Sequence, residues 1–146
     1  MRSYNWASLG CGVIANQLAQ AMAKKNRKLY SVANRTYDKA IAFADKYNID
    51  KVYTDINQIF EDENIDIIYI STPHNTHINY IRKALNSGKH VLCEKAITLN
   101  SSQLREMTDL ASKNNLILAE AMTIYHMPIY KKLKEIISSG KLGSLK

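Results

Sequence analysis

The run Asn5-Trp6-Ala7-Ser8-Leu9-Gly10-Cys11-Gly12-Val13-Ile14-Ala15 changes periodicity half-way along, and that change decides the fold. Residues 5–9 are short and apolar, a strand pattern. Beyond the glycines, Ile14, Leu18, Ala21 and Met22 recur at helical spacing. The stretch therefore reads strand, glycine turn, helix. In such a unit Gly10 allows the tight turn, Gly12 leaves the backbone bare for close approach, and Ala15 permits close packing of helix on strand.

The same alternation continues outward. A strand pattern over 29–33 is followed by a helical stripe over 38–47, carried by Ala40, Ile41, Phe43 and Ala44. A brief strand near Val52 and Tyr53 leads to Asp55, read as the N-cap of a short helix over 56–60. Residues 65–71 form a near-continuous apolar run, as buried parallel strands do. A helix over 76–85 stops at Ser87-Gly88, and 89–93 make the next strand. Asn100 and Ser101 cap a helix to about 113, 116–121 are strand-like, and Pro128 suits the first turn of a last helix ending near Gly140. Six strands alternating with helices predict an α/β, doubly wound, Rossmann-like parallel sheet.

Composition agrees with a folded domain. The chain has 146 residues, 46% hydrophobic and 23% charged, which argues against disordered and disulfide-framework classes. The two cysteines, Cys11 and Cys93, belong to no metal-ligand spacing, so no metal is expected, and a reducing cytoplasm is the expected compartment. No apolar run approaches the length that spans a membrane. The formal charge is +7, but the basic residues are dispersed, apart from Lys24-Lys25-Asn26-Arg27-Lys28. That cluster reads as a solvated helix end complementing the helix dipole, and nucleic acid is not an expected partner.

The glycine turn opening a helix offers unpaired N–H groups and a positive dipole end to a diphosphate, so Gly10, Gly12, Val13, Ile14 and Ala15 are candidate dinucleotide-binding residues. A carboxylate at the end of the second strand usually takes the ribose 2′-OH, yet that place reads Asn34-Arg35-Thr36. Arg35 can fork onto a 2′-phosphate, flanked by the neutral Asn34 and Thr36, which favours NADP over NAD. The other reading makes Arg35 a surface arginine with Asp38 compensating. The fourth strand ends in Ser71-Thr72-Pro73-His74-Asn75-Thr76-His77 and the fifth in Cys93-Glu94-Lys95-Ala96, both at carboxyl ends flanking the expected switch point, where open α/β sheets bind ligands.

Three ordered motifs, Gly10-x-Gly12-x-x-Ala15, Thr72-Pro73-x-x-x-His77 and Gly88-Lys89-His90-Val91-Leu92-Cys93-Glu94-Lys95, resemble the signatures of the Gfo/Idh/MocA oxidoreductases. The resemblance implies hydride transfer between a nicotinamide and a hydroxyl-bearing carbon of a sugar, cyclitol or related diol. It implies that Lys95 is the catalytic residue exchanging a proton with the substrate alcohol, and that Glu94 fixes the cofactor-side loop. His77, with His74 before it, is placed beside the cofactor, although a packing role for His77 reads equally well. Residues 1–146 then form the dinucleotide-binding domain, with about 140–146 starting the crossover to a second α/β substrate domain that this chain lacks. Since the family usually pairs through that second domain, homo-oligomerisation stays open. A non-catalytic NAD(P)-binding sensor or assembly module is the alternative function.

Three further expectations concern single segments. Tyr125 stands where the family often carries an arginine, which puts substrate contact by Tyr125-His126-Met127-Pro128 in doubt. Tyr130-x-x-x-Lys134 matches a short-chain dehydrogenase pattern, but the glycine spacing disagrees with it. Finally, the family's lysine precedes a proline and often a cis peptide, whereas Lys95 precedes Ala96, so a trans peptide is expected.

Overall fold

In the computed structural model, which describes residues 3–143, six strands form one parallel sheet. They are β1 (Trp6–Leu9), β2 (Ser31–Ala33), β3 (Lys51–Tyr53), β4 (Ile67–Ile70), β5 (His90–Cys93) and β6 (Leu118–Glu120). Their spatial order is β3-β2-β1-β4-β5-β6. The chain builds outward from β1 in one direction, returns, and builds outward in the other. The order therefore reverses between β1 and β4, which pair directly from Trp6 with Ile67 to Leu9 with Ile70. Six strand patterns and their parallel sense were legible in the sequence.

The connecting helices are α1 (Val13–Ala23), α2 (Tyr37–Tyr47), α3 (Gln58–Glu61), α4 (His77–Asn86), α5 (Ser101–Lys113) and α6 (Pro128–Ser138). Two apolar cores lie on opposite faces of the sheet. Ala15 and Ala19 of α1 join Ala40, Phe43 and Ala44 of α2 over Val32 and Tyr69. Ile81, Ala84 and Leu85 of α4 join Met107 and Ala111 of α5 over Leu9, Ile68, Ile70, Val91 and Cys93. Side chains alternate across each strand, so one strand feeds both cores. That is why 65–71 reads as apolar on both faces.

The ends of the helices follow local chemistry. Asn100 caps α5, its side-chain oxygen accepting from the Gln103 N–H at 2.9 Å, and Pro128 occupies the first turn of α6. Asp55 behaves differently from expectation. Its Oδ1 accepts from the Asn57 N–H at 2.9 Å, forming a local turn ahead of α3, which begins two residues later than the sequence suggests. The 76–85 helix is likewise preceded by a 3₁₀ turn over His74–Thr76. The basic cluster starts at Lys24, the C-cap of α1, just past its last turn. Residues 144–146, part of the expected crossover, lie outside the described residues.

Candidate cofactor cleft

The glycine turn is assembled from both neighbouring strands. The Gly10 N–H donates to the Ala33 carbonyl at 2.8 Å, and the Ser71 N–H donates to the Leu9 carbonyl at 2.9 Å. Gly10 has φ +104°, where L side chains are strained, and a Cβ there would stand 2.8 Å from Ser71 Oγ and 3.0 Å from the Ser71 carbonyl oxygen. Glycine is required at this position by the fold. Gly12 is the opposite case. Its φ of −74° suits any residue, and a Cβ there would meet no atom within 4 Å. The space a side chain would occupy lies open beside the cleft.

That cleft has a volume of about 380 Å³ and runs along the carboxyl ends of β2, β1 and β4. Of the residues singled out from the sequence, Gly10, Gly12, Asn34, Arg35, Thr36, Ser71, Thr72 and Pro73 line it. Cys11, Lys39, Ile56, Thr76 and Tyr80 line it as well, and sequence reasoning had not selected them for binding. Lys39 lies one turn inside α2, so it joins Arg35 on the same wall. Burial raises the Cys11 thiol above its ordinary pKa, and the charge of Lys39 opposes that shift. Among the described residues no acidic side chain lines this cleft, while Asp55 lines the adjoining hollow that shares Asn34, Arg35, Ile56 and Tyr80 with it.

Gly12 is the N-cap of α1 and supplies no side-chain cap, so the first N–H groups of the helix are left for a ligand. Val13 is 74% exposed and Ile14 is also exposed, but neither lines the cleft. Ala15 is fully buried beneath them. Asn34 donates from Nδ2 to the Thr36 carbonyl at 2.9 Å, which shapes the loop that presents Arg35.

His74, His77, Glu94 and Lys95 do not line this cleft; they lie in a set of contacts at the β4 and β5 ends. Tyr69, buried under α1, donates its hydroxyl to Glu94 Oε1 at 2.6 Å. Burial, then the hydrogen bond and charge of Glu94, push the Tyr69 pKa far up, so the phenol stays a donor. His77 has no exposed surface. Its Nε2 faces the Thr72 carbonyl at 2.8 Å and its Nδ1 faces the Ala96 carbonyl at 3.0 Å. It ties the Thr72-Pro73 turn to the segment after Lys95 from behind. His74 is exposed on the 3₁₀ turn, its ring edge-on to His77 at 5.5 Å.

Lys95 is exposed at the end of β5. The Lys95-Ala96 peptide is cis, which corrects the expected trans bond. Contacts remote in sequence fix this segment on both sides, since the Ile97 N–H donates to Glu120 Oε1 at 2.9 Å while His77 meets the Ala96 carbonyl. A rule based on the residue after lysine does not see them. Tyr130 and Lys134 lie on α6, where Tyr130 packs edge-on against Tyr125 at 5.2 Å, and neither lines the cleft. Among the described residues no group of three or more His, Cys, Asp or Glu is placed to hold a metal.

Comparison with known proteins bears on this arrangement directly. Residues 4–122 match the Gfo/Idh/MocA family, described as oxidoreductases with an NAD-binding Rossmann fold. The chain belongs to this family. Trans-1,2-dihydrobenzene-1,2-diol dehydrogenase of Xenopus laevis is 33% identical over 144 residues, which cover 97% of this chain and 44% of that protein. D-xylose 1-dehydrogenase (NADP(+)) of Hypocrea jecorina is 37% identical over 95 residues, covering 65% of this chain and 24% of that one. Among solved structures, a 3-ketoreductase from Actinomadura kijaniata in complex with NADP and TDP-benzene superposes with a TM-score of 0.88 at 25% identity, over 95% of this chain and 43% of the other. This family member spans less than half the length of the diol dehydrogenases it matches. Among the described residues, no helix is long and apolar enough to cross a membrane.

Proposed function

We propose that this chain is the cofactor-binding part of an NADP-preferring oxidoreductase acting on a hydroxyl-bearing carbon of a sugar, cyclitol or related diol. One observation carries the preference: the cleft wall beside the glycine turn holds Arg35 and Lys39, and the segment that ends β2, Asn34-Arg35-Thr36, carries no carboxylate. A 2′-phosphate needs cations there, whereas a bare 2′-OH is ordinarily met by an acidic residue. The relatives named for diol and xylose oxidation support the substrate class.

Bound in this cleft, the dinucleotide supplies a hydride acceptor or donor. The residues do the rest. The open N–H groups at the start of α1 and the bare Gly12 hold the diphosphate, while Arg35 and Lys39 hold the ribose phosphate. The phenol of Tyr69 fixes Glu94, and Glu94 with Lys95 stands on the β5 side, where the distal half of a dinucleotide crossing the switch point falls. Lys95 takes or returns the proton of the substrate hydroxyl. We assign residues 1–146 to this one domain, with about 140–146 leading to a substrate domain. The exposed stripe of Ile129, Leu133 and Ile137 on α6 supports that division. Both cysteines are free, in keeping with the cytoplasm as its compartment.

The test is discrimination between cofactors. NADPH binds at least several-fold more tightly than NADH, and Arg35→Ala collapses the ratio, since a charge-assisted phosphate contact contributes about 1.5 to 3 kcal/mol. Calorimetric titration of both dinucleotides reads it. Equal affinities in the unsubstituted chain remove the NADP assignment.

A further inference from the structure

Asn16 stands one turn inside α1 with its side chain directed back over the glycine turn, as helical side chains lean toward the N-terminus. Its Nδ2 donates to the Gly12 carbonyl at 2.9 Å and to the Cys11 carbonyl at 3.3 Å. The other end of the amide is fixed by α2. Asn16 Oδ1 accepts from Lys46 Nζ at 2.9 Å and from the Tyr47 hydroxyl at 2.7 Å. An ammonium has donors only, so the atom facing Lys46 is the oxygen and the nitrogen must face the turn.

This orientation has a consequence for the backbone. In a trans peptide the carbonyl and the following N–H point opposite ways. The Gly12 carbonyl already accepts the first helical bond from the Asn16 N–H at 3.1 Å, so what the side chain adds is its hold on the Cys11 carbonyl, which turns the Gly12 N–H away from Asn16, to the side where Gly12 lines the cleft. We propose that Asn16 is the positioning residue of the diphosphate site: braced by Lys46 and Tyr47, its amide holds the Cys11–Gly12 peptide plane of the turn so that the Gly12 N–H faces the cofactor. α2 then serves the cleft at both ends. The loop leading into it carries Arg35, its first turn carries Lys39, and its last turn holds the amide that orients the turn.

The inference rests on the dinucleotide reading above, and the experiment separates the two. NADPH and NADH are titrated into the unsubstituted chain, Asn16→Leu, Lys46→Met and the double variant, each checked by circular dichroism and thermal melting. Asn16→Leu removes the donor without adding charge, and it weakens both dinucleotides by about tenfold with their ratio unchanged. A 2′-phosphate contact would alter the ratio, so this pattern belongs to the diphosphate. Lys46→Met weakens binding less, and the double variant binds no more weakly than Asn16→Leu, because the lysine acts through the amide. Undiminished binding by Asn16→Leu overturns the proposal, and so do additive losses in the double variant. Should Asn16→Leu fail to fold, undiminished binding by Lys46→Met combined with Tyr47→Phe, which removes both braces of the amide, overturns it alone. If the unsubstituted chain binds neither dinucleotide, the cofactor reading fails and this one with it.

Discussion

Gly10 and Gly12 sit two residues apart and are glycine for different reasons. At Gly10 the backbone angle and the nearness of Ser71 forbid a side chain, so Gly10→Ala destabilises the fold by about 1 to 3 kcal/mol, read as a lower urea midpoint. At Gly12 the protein itself objects to nothing. Gly12→Val therefore keeps its circular dichroism spectrum and melting temperature but loses dinucleotide binding, because the branched side chain takes the space of the diphosphate. A variant that still binds would make this glycine structural and move the cofactor elsewhere. The sequence exposes both glycines and Arg35 because each is a local signal. It hides Lys39, which reads as one more lysine on a solvated helix, and Asn16, whose role exists only where Lys46 and Tyr47, thirty and thirty-one residues away, reach it. His77 was visible as a residue, but its burial behind the Thr72-Pro73 turn depends on packing that no spacing encodes.

At the scale of elements, the edge strand β3 is held by a carboxylate on the chain that follows α3. The Asp62 side chain is only 5% exposed. It accepts from Lys51 Nζ at 2.7 Å, from the Tyr53 and Tyr30 hydroxyls, and from the Asn64 N–H at 2.9 Å. Burial alone would raise its pKa. The hydrogen bonds from Lys51, Tyr53 and Asn64 outweigh that, leaving it well below the ordinary carboxylate range. A carboxylate with a depressed folded pKa adds stability above its unfolded value, about 3.9, and loses it as pH falls from there toward the folded value. Urea unfolding at pH 7 and pH 3 therefore shows a larger loss for the unsubstituted chain than for Asp62→Asn. The variant is weaker by about 2 kcal/mol at pH 7. Parallel pH dependence in the two would remove Asp62 from this role. Strand and helix patterns predicted the elements themselves. They said nothing of this clasp, since Asp62 pairs with a strand eleven residues before it.

At the scale of the molecule, sheet order places the site. Because β1 lies between β2 and β4, the glycine turn stands midway between the loop carrying Arg35 and the turn carrying Thr72, and the cleft joins all three. Alternating strand and helix patterns with a glycine turn after β1 were enough to anticipate that placement, since right-handed crossovers leave few arrangements of a parallel sheet. The contacts of Tyr69 with Glu94 and of His77 between Thr72 and Ala96 appear only once β4 and β5 lie side by side. The account as a whole rests on a dinucleotide spanning the carboxyl edge from β2 to β5. Amide chemical-shift mapping of the labelled chain during titration with NADPH tests this most directly. The account predicts the largest shifts at Gly10, Gly12, Val13, Arg35, Thr36 and Thr72, with the opposite edge around Asp62 unmoved. An unchanged spectrum at saturating NADPH, or shifts gathered away from the glycine turn, would contradict it.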